Sequence, residues 1–200
     1  MKKSKSIKRI KENITEQEYK KLMAGVRGDE ILKPHTKRNL LAAFTILYFT
    51  GLRLNEVQEL CLRNLAELID AGSTKLVLSK TKNERKLFAG EEFKKQLKKL
   101  LLLYGAELDK SERVIVKGSS KNRHAGINPI VFIAQVNGVM KSILGEGYTS
   151  HSFRQGLITE MGSRGINTKI ISKFIGHSDV KTTMRYIQPT DEDVRGAMVR

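Results

Sequence analysis

At 200 residues, 40% hydrophobic and 29% charged, the chain is long enough to bury a core as one domain and too apolar for disorder. Its 37 Lys and Arg against 21 Asp and Glu give a formal charge of +16, which points to a polyanionic partner, nucleic acid before an acidic membrane surface. No apolar run approaches the roughly 20 residues of a membrane span, and the basic start MKKSKSIKRIKENI leads into no apolar signal stretch, so a cytoplasmic location is expected.

Residues 1–12 read as a basic leader or interdomain linker, and residues 13–200 as the folded unit. NITEQEYKKLMAGV opens a helix, because Thr15 followed by Glu18 makes a capping box. TKRNLLAAFTILYFTG is a long, mostly apolar helix ended by Gly51, the expected central helix. LRLNEVQELC predicts a second helix with Leu54, Val57, Leu60 and Cys61 on one face. Cys61, the single cysteine, excludes an internal disulfide framework and reads there as a buried thiol in a reducing compartment.

After Asn64 the texture changes. LAELIDAGSTKLVLSKTKNERKLFAG breaks into three short segments separated by the turn-formers DAGS and KTKNE, and KLVLS alternates as a strand does. A small antiparallel sheet of two or three strands is expected. Helices return with EEFKKQLKKLLLLYG and, past a Lys/Ser/Gly-rich loop at 117–126, with NPIVFIAQVNGVMKSIL. Three short helices follow from Ser150, punctuated by SRGINT, GHSD and QPTD. The fold class is mainly α with one small antiparallel β-sheet, an α+β chain.

Five places hold polar residues that the local pattern does not explain. In TGLRLNEV, Arg53 follows a helix-ending glycine in the most apolar region, with Glu56 one turn on. A structural Arg–Glu pair and an anion-gripping arginine are both open readings. In LSKTKNERKL, Lys80, Lys82, Arg85 and Lys86 crowd a turn between strands. They are either a solvated charge run or a hairpin tip that inserts a lysine into a DNA groove. In SHSFRQGLITEM, a helical projection of about 100° per residue places Arg154 inside the apolar arc of Phe153, Leu157 and Met161, with His151 at its flank. No acidic residue shares that face, so Arg154 reads as held for an external phosphate. His177 stands just before a helix start capped by Ser178 or Asp179, a favourable place to meet an anion. Val180, Met184 and Ile187 are expected to share a face of that helix, with Tyr186 about 120° away from its centre.

The set is more specific than its members. Two guanidiniums can grip the non-bridging oxygens of one phosphodiester, and a histidine adds a third donor. A lysine can protonate a leaving oxygen, and His151 can assist the proton of Tyr186, whose hydroxyl at its ordinary pKa of about 10 becomes a useful nucleophile in that field. The four histidines, His35, His124, His151 and His177, lie far apart with no metal-ligand spacing, so neither metal nor cofactor is expected.

On TGLRLNEV, SKTKNERKL, HSFR and IGHSDVKTTMRYIQ, in that order, the chain resembles the tyrosine recombinase (phage integrase) family from about residue 13 onward. The resemblance implies catalytic roles for Arg53, Lys80, His151, Arg154, His177 and Tyr186, with Glu56 supporting and Lys82, Arg85 and Lys86 contacting DNA. Lys80, before the turn, is the catalytic lysine in preference to Lys82. The implied reaction is site-specific recombination of double-stranded DNA through a 3′-phosphotyrosine, without metal or ATP, by four protomers on two DNA sites. Gln155 stands where the family often has His, outside the chemical six. The family commonly carries an N-terminal DNA-clamping domain, so the chain is expected to be either the catalytic part of a longer protein or a short single-domain recombinase. A type IB topoisomerase-like enzyme and a non-catalytic DNA-binding module are the alternatives.

Overall fold

The computed structural model describes residues 12–78, 84–105, 109–118, 124–187, 191 and 195–196. Helix α1 (Glu16–Gly28) begins at Thr15, whose N–H donates to Glu18 Oε2 at 3.0 Å and whose hydroxyl reaches the same carboxylate, the predicted capping box. Helix α2 (Pro34–Thr50) is covered on nearly every side, with Leu40, Ala42, Ala43, Phe44 and Leu47 all fully buried. Gly51 ends it at φ 57°, the left-handed conformation that glycine adopts without strain, and a side chain there would strike Ile175.

Helix α3 (Leu54–Val57) is much shorter than the helix expected from LRLNEVQELC. Long-range hydrogen bonds turn the chain instead: Gln58 Nε2 donates to the Ile127 carbonyl at 3.0 Å, and the Gln58 carbonyl accepts from Arg113 Nη1 at 2.6 Å. Cys61 then makes an isolated antiparallel bridge with Arg113 and caps helix α4 (Leu62–Asp70), so it is only partly buried rather than a core thiol. The LAELID segment, expected among the strands, lies in α4. Leu62, Leu65 and Leu68 are its buried leucines, and their spacing of three is helical.

Strands β1 (Ser73–Val77) and β2 (Glu84–Phe88) pair antiparallel, from Ser73 opposite Phe88 to Val77 opposite Glu84. Thr74, Leu76, Arg85 and Leu87 face inward, while Lys75, Val77, Lys86 and Phe88 face out. Helix α5 (Glu91–Leu101) runs into a 3-10 turn at Leu102–Tyr104. Helix α6 (Pro129–Leu144) starts at Asn128, whose side chain accepts from the N–H groups of Ile130 and Val131. Helices α7 (Ser150–Ser163), α8 (Thr168–Ile175) and α9 (Val180–Met184) complete the described elements.

α2 packs against α1, α3, α5 and α7, while α4 carries β1, and α8 lies between α7 and α9. Phe44 and Phe153 stack with ring centroids 5.7 Å apart and dock α7 onto α2. Two apolar clusters result. The main one draws on α1 to α7, and a small one consists of buried Ile158, Ile171 and Ile175 with Leu157, Met161, Ile166, Phe174, Tyr186 and Ile187 packed around it. Among the described residues no helix is long and apolar enough to cross a membrane.

Candidate active site

Arg154 lies in the first turns of α7, one residue after the docked Phe153, and its side chain is buried beside the end of α2, where it forms the centre of the candidate pocket. Its Nη1 donates to the Gly51 carbonyl at 2.7 Å and its Nε to His177 Nε2 at 3.3 Å. Nη2 is buried with no hydrogen-bond partner, and among the described residues no carboxylate lies within ion-pair distance of the guanidinium. Burial first, then the Arg53 and Arg85 guanidiniums, pull Arg154 down to about 9, so it stays charged at neutral pH at a cost that an incoming anion would relieve. The expectation of an inward arginine without an acid on its helix face matches this arrangement.

Arg53 behaves differently from its expected burial. Leu52 and Leu54 turn inward, but Arg53 caps α3 with its side chain half-exposed. Its N–H donates to Glu56 Oε2 at 2.7 Å and its Nη1 to Oε1 at 3.1 Å. Glu56 itself is buried, and its Oε2 also receives Arg85 Nη1 at 2.7 Å. One carboxylate thus serves two arginines, and with Arg154 the pocket holds, among the described residues, three guanidiniums against one carboxylate.

Arg85 is the chief correction to the expected site. It was expected beside Lys82 and Lys86 as a DNA-contacting residue of the hairpin, yet the structure buries it under the pocket. Besides Glu56, its Nη2 donates to the carbonyls of Phe174 at 3.2 Å and Thr50 at 3.4 Å, and its Nε is buried without a partner. Desolvation lowers its pKa against the opposing pull of Glu56. The signal was legible: Arg85 lies two residues before Leu87 in a strand, so one buried face carries both. Lys86 lies on the opposite, exposed face, its Nζ 5.3 Å from the Phe88 ring centroid. Lys80 and Lys82 lie outside the described residues.

His177 is placed by the end of α8. Gly176 adopts φ 76°, the left-handed region that glycine favours, and a Cβ there would crowd Arg85 Nε at 3.1 Å. The N–H groups of Gly176 and His177 both donate to the Ser172 carbonyl, at 2.9 and 3.0 Å, and Asp179 caps α9 through the Lys181 N–H. Burial, then Arg154, Arg53 and Arg85, push His177 down to about 4, so its ring is neutral. The other ring nitrogen, Nδ1, lies 2.7 Å from the hydroxyl of Thr183, a fully buried residue that the sequence reading did not single out.

The expected face of α9 does not form. Met184 is 58% exposed and Thr183 takes the inward position, because the helix is five residues long and the chain turns away at Arg185. Tyr186 follows in that turn, its N–H donating to the Thr183 carbonyl at 3.0 Å, and it packs partly buried against the small cluster. It lies within electrostatic reach of Arg154. The structure therefore gathers Arg53, Glu56, Arg154, His177 and Tyr186, and adds Arg85 and Thr183. His151 occupies the exposed first turn of α7.

In three dimensions the chain is similar to the crystal structure of XerA recombinase, with a TM-score of 0.69 at 21% identity, covering 98% of this chain and 65% of that one. It is similar to the same degree, TM-score 0.69, to the Tn1549 transposon integrase in complex with a circular intermediate DNA, at 17% identity over 98% of this chain and 67% of that one. The fold is that of the tyrosine recombinase catalytic domains. The phage integrase family model matches residues 12–193, and the chain belongs to that family. Tyrosine recombinase XerC of Treponema denticola is 27% identical over 169 residues, which cover 77% of this chain and 53% of that protein. The chain spans about half the length of such curated relatives.

Proposed function

We propose that the chain is the catalytic part of a site-specific DNA recombinase that breaks and rejoins double-stranded DNA through a 3′-phosphotyrosine. One observation carries this reading. Arg154 is a buried cation with an unpaired Nη2 and, among the described residues, no carboxylate of its own, held beside Arg53, His177 and Tyr186. A phosphodiester supplies the missing anion, and its non-bridging oxygens suit the paired donors of Arg53 and Arg154.

In the proposed reaction the Tyr186 hydroxyl oxygen attacks phosphorus and the bond to O5′ breaks. The tyrosine proton passes toward His151, and the departing O5′ takes a proton from Lys80. Negative charge building on the non-bridging oxygens meets donors already in place around them, which is where such pockets gain most of their rate. A free 5′-hydroxyl then attacks the phosphotyrosine, the P–O(Tyr) bond breaks, and the backbone is restored without ATP. The roles of Lys80 and His151, DNA contacts by Lys82 and Lys86, and action by four protomers on two sites come from the family resemblance. So does a cytoplasmic, DNA-bound location.

The test uses nicked suicide duplexes tiled across the DNA that flanks the gene. A covalent adduct should survive denaturing electrophoresis, and Tyr186→Phe should abolish it. An adduct that persists in the Phe variant assigns the nucleophile elsewhere. Salt-sensitive binding with no adduct from any duplex favours a non-catalytic DNA-binding module.

A further inference from the structure

His177 meets two different demands at one nitrogen. In the structure its Nε2 faces the Arg154 Nε–H, which can only donate, so Nε2 is an acceptor and the ring proton lies on Nδ1. That proton then points at Thr183 Oγ1, 2.7 Å away. A phosphate seated between Arg154 and His177 reverses the requirement. Its oxygens only accept, so Nε2 must carry a proton to bind it, and a neutral ring must then leave Nδ1 bare.

We propose that Thr183 is a positioning residue that lets His177 exchange tautomers as phosphate enters: its hydroxyl accepts from Nδ1–H in the empty pocket and donates to Nδ1 in the filled one. This rests on the phosphate-binding reading given above. Nε2 takes a proton from solvent as phosphate enters and Nδ1 returns one to solvent, so the ring gains no net proton. The threonine hydroxyl, which accepts or donates through the same atom by rotating its hydrogen, keeps Nδ1 partnered before and after without a ring flip. Complete burial of Thr183 keeps water from substituting for it, and an unpaired buried Nδ1 in either tautomer would be costly. Arg53, Arg85 and Arg154 all press a positive field on the ring, and Glu56 is engaged by two of them, so the neutral route is the one this pocket favours. Thr183 also holds the nucleophile, since its carbonyl accepts the Tyr186 N–H. The residue that sets the proton on His177 therefore sets the start of the turn carrying Tyr186.

Nitrogen-15 spectra of the full chain, labelled in the histidine rings and the arginine guanidiniums, distinguish the two neutral tautomers from imidazolium and report Arg154 as well. Without added anion, His177 should show the Nδ1–H tautomer at neutral pH, and saturation with inorganic phosphate should convert it to Nε2–H. Thr183→Ser should keep both states. Thr183→Val should give an averaged ring signal and about tenfold weaker phosphate binding, the size expected for one unpaired buried group. Imidazolium in the filled pocket, an unchanged tautomer on saturation, or a Val variant indistinguishable from wild type overturns the exchange. If phosphate perturbs neither the Arg154 nor the His177 signals, the phosphate pocket itself is overturned, and the exchange with it.

Discussion

Arg53, Glu56 and Arg154 stand on α3 and α7, whose apolar neighbours Leu52, Leu54, Val57 and Phe153 belong to the main core, whereas His177 and Tyr186 stand on a segment that closes over Ile158, Ile171 and Ile175. The first half of the pocket is thus mounted on the largest buried surface in the molecule, and the second on a small satellite of it. Because local opening free energies follow the apolar surface each unit buries, the histidine–tyrosine half should open at lower cost than the arginine half. Arg85 joins the two. It holds Glu56 on one side and the Phe174 carbonyl at the end of α8 on the other.

The largest expected effect comes from cutting that joint at its anion. Glu56→Ala leaves Arg85 buried without a counter-charge and should cost about 3–5 kcal/mol of global stability in denaturant unfolding. A loss below about 1 kcal/mol would mean that Arg85 finds solvent, and that the two halves are not coupled through it. Next, Ile171→Ala in the small cluster should cost about 2–3 kcal/mol. Its signature in hydrogen exchange should be lost protection over residues 168–187, with the amides of α2 little changed. Equal loss in α2 would erase the distinction between the two halves.

A third effect is read as a slope in pH rather than as a loss at one pH. His177 stays neutral in the folded chain down to about 4, while the unfolded chain takes up the same proton near the ordinary imidazole value of 6.5. Between those values the unfolded state binds more protons, so stability from this group is complete above about 6.5 and declines as pH falls toward 4. Thermal unfolding across that window should show a shallower pH slope in His177→Gln than in wild type. Equal slopes would mean that the ring is not held neutral by its burial and the neighbouring arginines.

Much of this arrangement was legible before any fold was known. Capping at Thr15, the stop at Gly51, the inward angle of Arg154 and the turn before His177 all follow from local chemistry: hydrogen-bonding side chains, left-handed glycine and the 3.6-residue period. The misread elements share a different cause. LRLNEVQELC has a helical pattern but turns after Val57, because Gln58 and Arg113 find partners far along the chain. A charged residue in a turn-rich stretch looked solvent-facing at Arg85, although the strand alternation with Leu87 pointed it inward.

By itself, then, the sequence determined the capped starts and glycine stops of the main helices, which arginine lacks an acid on its own face, and in what order the candidate site residues occur. Tertiary structure alone decided that the inward-facing Arg85 would meet Glu56, that Arg53 would be half-exposed, and that Thr183 would meet His177. Those outcomes depend on groups 29 residues apart for Arg85 and Glu56 and 103 apart for Arg154 and the Gly51 carbonyl. No local period reports such distances. They are set when α7 docks on α2 and α8 closes against both, and burial then forces each polar atom to take whatever partner the packing has brought within reach.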